Sequence, residues 1–322
     1  MVTDRPVLAV MHDGDRPVGM EAVEALYDVR YATASTFADA VDGARAILLW
    51  DNIREALREV WPRCSDLEWV HLAAAGVDTL LFDELVASDV VVTNSRGVVD
   101  TPIAEFVLAS VLAMAKDVRR TVELGREARW LHRETADVAG ARAMVVGTGS
   151  IGRAVARLLR AVGMTVSGVG RTARTGDPDF GTVHASSDLA AVVSDIDYLV
   201  LIAPLTPSTR GMVGREVLAA AKPGVRVINV GRGALLDTEA LVDGLRTGQV
   251  GGAALDVFET EPLPPDHVLW TLDDVLLTAH MSGDTTGWRE RLISVFVDNA
   301  DAFAAGRQLA NVVDKKLGFV PS

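Results

Sequence analysis

Lysine is scarce in this 322-residue chain: Lys116, Lys222, Lys315 and Lys316 are the only four, so arginine makes up 27 of the 31 cations. Cations as a class are outnumbered, because 44 Asp and Glu leave a net charge of −13. A field of that sign repels phosphate backbones and anionic lipid over much of the surface, which argues against nucleic-acid and membrane partners. Cysteine is rarer still. Cys64 alone cannot form an internal disulfide, and a chain of this size needs none to hold its core. Long apolar runs are missing too: the longest, Phe106 to Ala115, falls well short of the roughly 20 residues that span a bilayer. The start places only Val7 to Val10 as an apolar run before His12-Asp13-Gly14-Asp15, which makes neither a signal h-region nor an anchor. The protein is expected to be soluble and cytoplasmic. No fixed-period repeat appears, which excludes a solenoid.

What is present is an ordinary globular balance, 49% hydrophobic and 23% charged, at a length that favours two domains. Short β-branched runs alternate with amphipathic stretches, the pattern of βαβ units. One series comprises Val7 to Val10, Ala46 to Trp50, Trp69 to Leu72 and Val90 to Val92. A second comprises Ala143 to Val146, Thr165 to Ser167, Tyr198 to Ile202, Val225 to Asn229, Gly252 to Asp256 and Val275 to Thr278. The fold class predicted is α/β, with two doubly wound parallel-sheet domains. Between the series, Asp100 or Thr101 caps a helix with Pro102 in its first turn. That helix is apolar nearly all round, which fits a central core helix or one lying between domains or subunits.

The segment Gly147-Thr-Gly149-Ser-Ile-Gly152 closes a predicted strand and opens a predicted helix. In that setting Gly147 permits the tight turn, Gly149 lets backbone approach a pyrophosphate, and Gly152 lets helix and strand pack closely. Ser150 and Ile151, at the helix start, join them as candidate coenzyme contacts, because helix N-terminal N–H groups attract phosphate. An acidic residue about 20 positions on would bond the ribose hydroxyls of NAD. Here that stretch reads Gly170-Arg171-Thr172-Ala-Arg174 instead. Two arginines and a hydroxyl attract a 2′-phosphate, so NADP(H) is the expected coenzyme, with NAD(H) use still open.

Three further polar residues follow predicted strands: Arg232 in Asn229-Val-Gly-Arg-Gly233, Glu261 in Asp256-Val-Phe-Glu-Thr-Glu-Pro262, and His280 in Thr278-Ala-His280. Strand ends of an open α/β sheet form its ligand crevice. Arginine can clamp a carboxylate and polarise the neighbouring carbonyl. Histidine can pass a proton near neutral pH, and a nearby carboxylate favours its imidazolium form. Together they suit reduction of a 2-keto acid. His12, His71, His132, His184 and His267 have no comparable setting, Trp50 and Trp130 read as core packing before pocket lining, and no cluster has metal-ligand spacing.

With these motifs in view, the chain resembles the D-isomer-specific 2-hydroxyacid dehydrogenase family. The resemblance rests on Gly147 to Gly152, on Lys222 to Gly233, on Leu255 to Pro262 and on Thr278 to His280, and it runs nearly the whole length. It implies that Arg232 binds substrate, that His280 is the acid/base, and that Glu261 orients it. It adds Asp256 as partner of the nicotinamide carboxamide, and the N–H groups of Ala75, Gly76 and Val77 as hosts for the substrate carboxylate. It implies a Rossmann coenzyme domain, residues 98–287, inserted into a flavodoxin-like substrate domain of residues 1–97 plus 288–322, with the active site where the two face, and a homodimer. Met281-Ser282-Gly283 departs from the order that often follows the family's histidine. The strand-end arginines resemble the NADP-using glyoxylate and hydroxypyruvate reductases. A coenzyme-sensing corepressor or scaffold and a phosphoglycerate dehydrogenase are the alternatives. A short-chain dehydrogenase fails, since Tyr27, Tyr31 and Tyr198 all lack a lysine four positions on.

Overall fold

Ala44–Leu49 and Trp69–Leu72 carry large or branched apolar side chains on both faces, and almost all of them are buried. Strands of that kind belong inside parallel sheets covered by helices. In the computed structural model, which describes residues 5–50 and 55–321, they are β3 and β4 of a five-stranded sheet. Its other strands are β1 (Val7–Met11), β2 (Asp28–Ala32) and β5 (Val91–Asn94), all parallel in the order β2-β1-β3-β4-β5, the flavodoxin order. The sequence reading missed β2, whose Asp-Val-Arg-Tyr-Ala mixes polar and apolar residues and which sits at the sheet edge. The helix Trp288–Ala304 covers this sheet. Its Phe296 is fully buried and stacks on Trp69 with centroids 5.4 Å apart, and Tyr27 Oη donates to the Ala300 carbonyl at 2.7 Å.

These elements form one compact unit, the described residues up to Val98 and from Thr286 onward; the other unit is Val99–Thr285. The second contains β6 (Arg142–Val146), β7 (Thr165–Gly170), β8 (Arg174–Asp177), β9 (Gly181–Ala185), β10 (Tyr198–Leu201), β11 (Val225–Asn229), β12 (Val250–Leu255) and β13 (Val275–Leu277). Their order is β13-β12-β11-β10-β6-β7-β9-β8, and every pairing is parallel except β8 with β9. Inside it lies the dinucleotide-binding order 3-2-1-4-5-6, with the switch point between β6 and β10.

The helix Ser150–Ala161 buries Val155, Ala156 and Leu159 beneath β6, and Ile103, Val107 and Val111 of the helix Asp100–Ala115 share that core. Each of these valine, leucine and isoleucine side chains removed from water contributes about 1.5–3 kcal/mol. One expectation about Asp100–Ala115 is corrected. Its N-cap is Val99, with no side-chain cap, because the Asp100 carboxylate accepts the Ser150 hydroxyl instead (3.3 Å). Leu112 of this helix is exposed.

Candidate active site

The glycine turn after β6 is dictated by crowding. Gly147 has φ +117°, and a Cβ there would lie 2.7 Å from the backbone of Ile202 and Ala203, which follow β10; a Cβ on Gly152 would lie 2.0 Å from the Gly147 carbonyl oxygen. Gly149 differs. It is the N-cap of Ser150–Ala161, makes no side-chain cap, and has nothing within 4 Å of where a Cβ would stand. Space is therefore open beside Gly149 where this helix starts, at the switch point, a position that fits a pyrophosphate. Ser150 is tied to Asp100, and Ile151 packs partly into the core.

At the end of β7, Arg171 and Thr172 are exposed in the bend that leaves the strand. No carboxylate stands in that bend. Arg174, read from the sequence as part of the same loop, is on β8, and its Nε and Nη2 both bond Asp177 Oδ2 (2.9 and 2.8 Å). Asp177 also takes both terminal nitrogens of Arg153 at 3.0 Å. These bonds, that of Arg153 foremost, hold the nearly buried Asp177 carboxyl well below the usual carboxylate range. The guanidinium of Arg174 is thus already engaged, a competition that the linear spacing hid.

The remaining polar groups follow three neighbouring strands, β11, β12 and β13. Beyond β11, Arg232 begins a short 3₁₀ turn, and a Cβ on Gly233 would lie 1.9 Å from the Phe258 carbonyl carbon. Only glycine lets the turn after β11 lie this close to the turn after β12. The latter carries Glu261, whose Oε1 accepts the Phe258 N–H at 2.9 Å and whose Oε2 lies 2.8 Å from His280 Nδ1. Both side chains of this pair remain partly exposed. His280 itself has φ +51°, a left-handed conformation uncommon outside glycine.

Asp256, which the resemblance pairs with the nicotinamide carboxamide, also bonds the chain that carries His280. It is fully buried; Oδ1 accepts the Thr278 hydroxyl (2.6 Å) and the Met281 N–H (2.9 Å), and Oδ2 the Ser282 N–H (2.9 Å). Asn229, which the sequence reading passed over, is buried at the end of β11. Its Nδ2 donates to the Arg232 carbonyl (2.9 Å) and its Oδ1 accepts the Gly231 N–H (3.1 Å). An Asn two residues before a Gly-Arg-Gly is the signal that could have found it, since Asn side chains bond their own backbone two residues on.

In the first unit, the loop after β4 holds Ala75 and Gly76 half-buried and Val77 buried. Among the described residues their three N–H groups donate no hydrogen bond, while Asn94 Nδ2 braces the loop through the Ala75 carbonyl (2.5 Å). Trp50 is core, with an indole N–H that finds no partner among the described residues. Trp130, expected in a core, is fully exposed instead. Among the described residues, no three His, Cys, Asp or Glu side chains gather as metal ligands and no helix is long and apolar enough to cross a membrane.

Comparison with known proteins agrees with this architecture. Residues 108–282 match the D-isomer specific 2-hydroxyacid dehydrogenase, NAD binding domain. A glyoxylate reductase of Aeropyrum pernix is 32% identical over 320 residues, covering 94% of this chain and 94% of that protein. Among solved structures, a D-isomer specific 2-hydroxyacid dehydrogenase from Xanthobacter autotrophicus, in complex with NADPH and MES, has a TM-score of 0.80 at 31% identity, covering 98% of this chain and 100% of that one. An NADPH-dependent glyoxylate/hydroxypyruvate reductase from Sinorhizobium meliloti, in complex with NADP and sulfate, has a TM-score of 0.79 at 25% identity, covering 98% and 100%.

Proposed function

The chain belongs to the D-isomer specific 2-hydroxyacid dehydrogenase family, and we propose that it reduces a small 2-keto acid of the glyoxylate or hydroxypyruvate kind to the D-2-hydroxy acid, preferring NADPH. The observation that carries this reading is the 2.8 Å contact between His280 Nδ1 and Glu261 Oε2. With Nδ1–H donated to the carboxylate, Nε2 is the nitrogen that holds the transferable proton. When bound, the nicotinamide supplies the hydride to the keto carbon. His280 delivers its proton to the keto oxygen, Arg232 clamps the acid and polarises its carbonyl, and the N–H groups of Ala75, Gly76 and Val77 take the carboxylate. The glycine cradle, with Gly147, Gly149, Ser150, Ile151 and Gly152, holds the pyrophosphate.

The NADPH preference rests on the bend after β7, which offers Arg171 and Thr172 and no carboxylate. Arg174, committed to Asp177, adds less. A keto-acid panel assayed with NADPH and NADH tests class, substrate and coenzyme together. Wild type is expected to favour NADPH, and Arg171→Ala to shrink that preference by about tenfold, the scale of one charge-assisted contact. Unchanged preference in the variant would refute the assignment.

The expected homodimer is supported by apolar side chains left exposed on the second unit: Leu112, Val118, Val122, Trp130 and Leu131. Monomeric soluble proteins rarely leave large apolar patches uncovered. Sedimentation should give twice the 34.3 kDa chain mass for wild type and the monomer for Val122→Asp/Trp130→Ser. A cytoplasmic location fits a chain whose single cysteine, Cys64, can form no internal disulfide.

A further inference from the structure

β5 is an edge strand of the five-stranded sheet, and its outer side is covered by a later part of the same unit. The segment 311–321, which follows the helix Trp288–Ala304, runs antiparallel to it: Thr93 bridges Val312, the Val313 N–H donates to the Val92 carbonyl (2.8 Å), and the Asn94 N–H donates to the Asn311 carbonyl (3.3 Å). Side chains fasten this strap at both ends. Lys315 Nζ donates to the carbonyls of Leu85, Ser88 and Val90 (3.0, 2.6 and 2.9 Å), which occupies all three of its N–H groups. Asn311 Nδ2 donates to the Arg96 carbonyl (3.0 Å), and Arg96 Nη1 donates to the carbonyls of Val320 and Pro321 (both 3.1 Å). Asn94 lies among these contacts, only 3% exposed, and its Oδ1 accepts the Arg96 N–H at 3.2 Å.

The same residue is bonded to the loop after β4. Asn94 Nδ2 donates to the Ala75 carbonyl (2.5 Å), and the next N–H along the chain, that of Ser95, donates to the Ala74 carbonyl (3.0 Å). Within one trans peptide plane the C=O and the N–H point in opposite directions. Holding the Ala74 carbonyl therefore aims the Ala75 N–H, and holding the Ala75 carbonyl aims the Gly76 N–H, both to the side opposite Asn94 and Ser95. These are two of the three loop N–H groups that donate no hydrogen bond among the described residues. We propose that Asn94 is a positioning residue for keto-acid binding, held in place by the strap 311–321 and its Lys315 anchor: it sets the direction of the N–H groups that take the substrate carboxylate. This rests on the role given above to Ala75, Gly76 and Val77. An anion bound by neutral dipoles is held best when they are aligned before it arrives, because turning each one into place subtracts from affinity.

The test is steady-state kinetics, NADPH fluorescence titration and thermal unfolding on the full chain carrying Asn94→Leu, Lys315→Met or Thr93→Val. Asn94→Leu keeps the side-chain volume and removes the donor to Ala75 without adding charge. The keto-acid KM should rise about tenfold, the scale of one lost hydrogen bond, with kcat within about threefold of wild type and the NADPH dissociation constant within about twofold. Lys315→Met releases one anchor of the strap and should raise KM about threefold, so it decides the matter if Asn94→Leu does not fold. Thr93→Val measures loosening alone. It removes the buried hydroxyl that meets Trp69 Nε1 and His71 Nδ1 (2.8 Å each), next to Asn94 in the strand, so the unfolding midpoint should fall while KM stays within about twofold of wild type. A wild-type KM in Asn94→Leu would overturn the proposal, as would a wild-type KM in Lys315→Met should the first variant not fold. So would a loss confined to kcat or to NADPH affinity, or a rise in KM in Thr93→Val as large as that in Asn94→Leu, since KM would then follow loosening of the core and not the aim of the loop. Failure of the function itself reads differently: wild type would then reduce no keto acid with either coenzyme.

Discussion

Among the histidines on or just past parallel strands, His71 on β4 and His280 after β13 have opposite surroundings. His71 is fully buried, with Nδ1 2.8 Å from Thr93 Oγ1 and Nε2 3.1 Å from Ser95 Oγ. No charge compensates its desolvation, so burial pushes its pKa down to about 3. His280 is partly exposed and has a carboxylate at one nitrogen. Two hydroxyls can satisfy an imidazole, but they give it no reason to carry a proton. A carboxylate behind the ring and an open face before it are what make a histidine usable in proton transfer.

The contrast is broken most severely by exchanging what each histidine is expected to lose. His280→Ala should lower kcat by about 10²- to 10⁴-fold, the usual worth of general acid catalysis, with thermal stability near wild type. An unfolding midpoint that drops with it would mean that His280, too, is a structural residue.

The next largest effect belongs to His71 and appears only in acid. The unfolded chain's histidine binds its proton near 6.5, whereas the folded one resists until about 3. Stability is therefore complete above pH 6.5 and drains as pH falls toward 3, by about 3 kcal/mol at pH 4.5, two units at about 1.4 each. Urea unfolding of wild type and His71→Gln at pH 7 and 4.5 reads this as a difference: the variant should lose less stability between the two. Parallel losses would show that His71 is not the group responsible.

Glu261→Gln sharpens the comparison at smaller cost, since it gives His280 the neutral company that His71 has. A decrease in kcat of about 10-fold, with keto-acid KM nearly unchanged, is expected from loss of one charge-assisted hydrogen bond. Equal kcat in wild type and variant would remove the carboxylate from the account.

Much of this was legible in the sequence because the central strands are apolar on both faces, and because glycine, arginine, glutamate and histidine stand at strand ends. The strands β2, β8 and β9 were not. Arg174-Thr-Gly-Asp177 and Gly181-Thr-Val-His-Ala185 bury few side chains, and they are strands by virtue of their pairing partners rather than their composition. Once the β8–β9 hairpin forms, Arg174 meets Asp177, a contact that spacing alone cannot reveal. Asn229 went unnoticed for a related reason. Its bonds run to the backbone of its own turn, so its part in the site exists only after the strand beside it is in place. Trp130 illustrates the converse: size and apolarity argued for a core, and the exposed segment after Val118–Arg126 overrode them.

The β8–β9 hairpin also has a bearing on how the protein behaves at high concentration. An eight-stranded sheet ends in two rows of unpaired backbone groups, each a template onto which a stray strand of another molecule can add. Here one border is β13, only three residues long. The other is β8, which runs against its neighbour, carries Arg174 and Asp177 at its ends, and slips register around Gly176, whose φ is +72°. Both borders of this sheet are too short, too charged or too bent to recruit a partner, which leaves crowded molecules no border of the eight-stranded sheet along which to fibrillate.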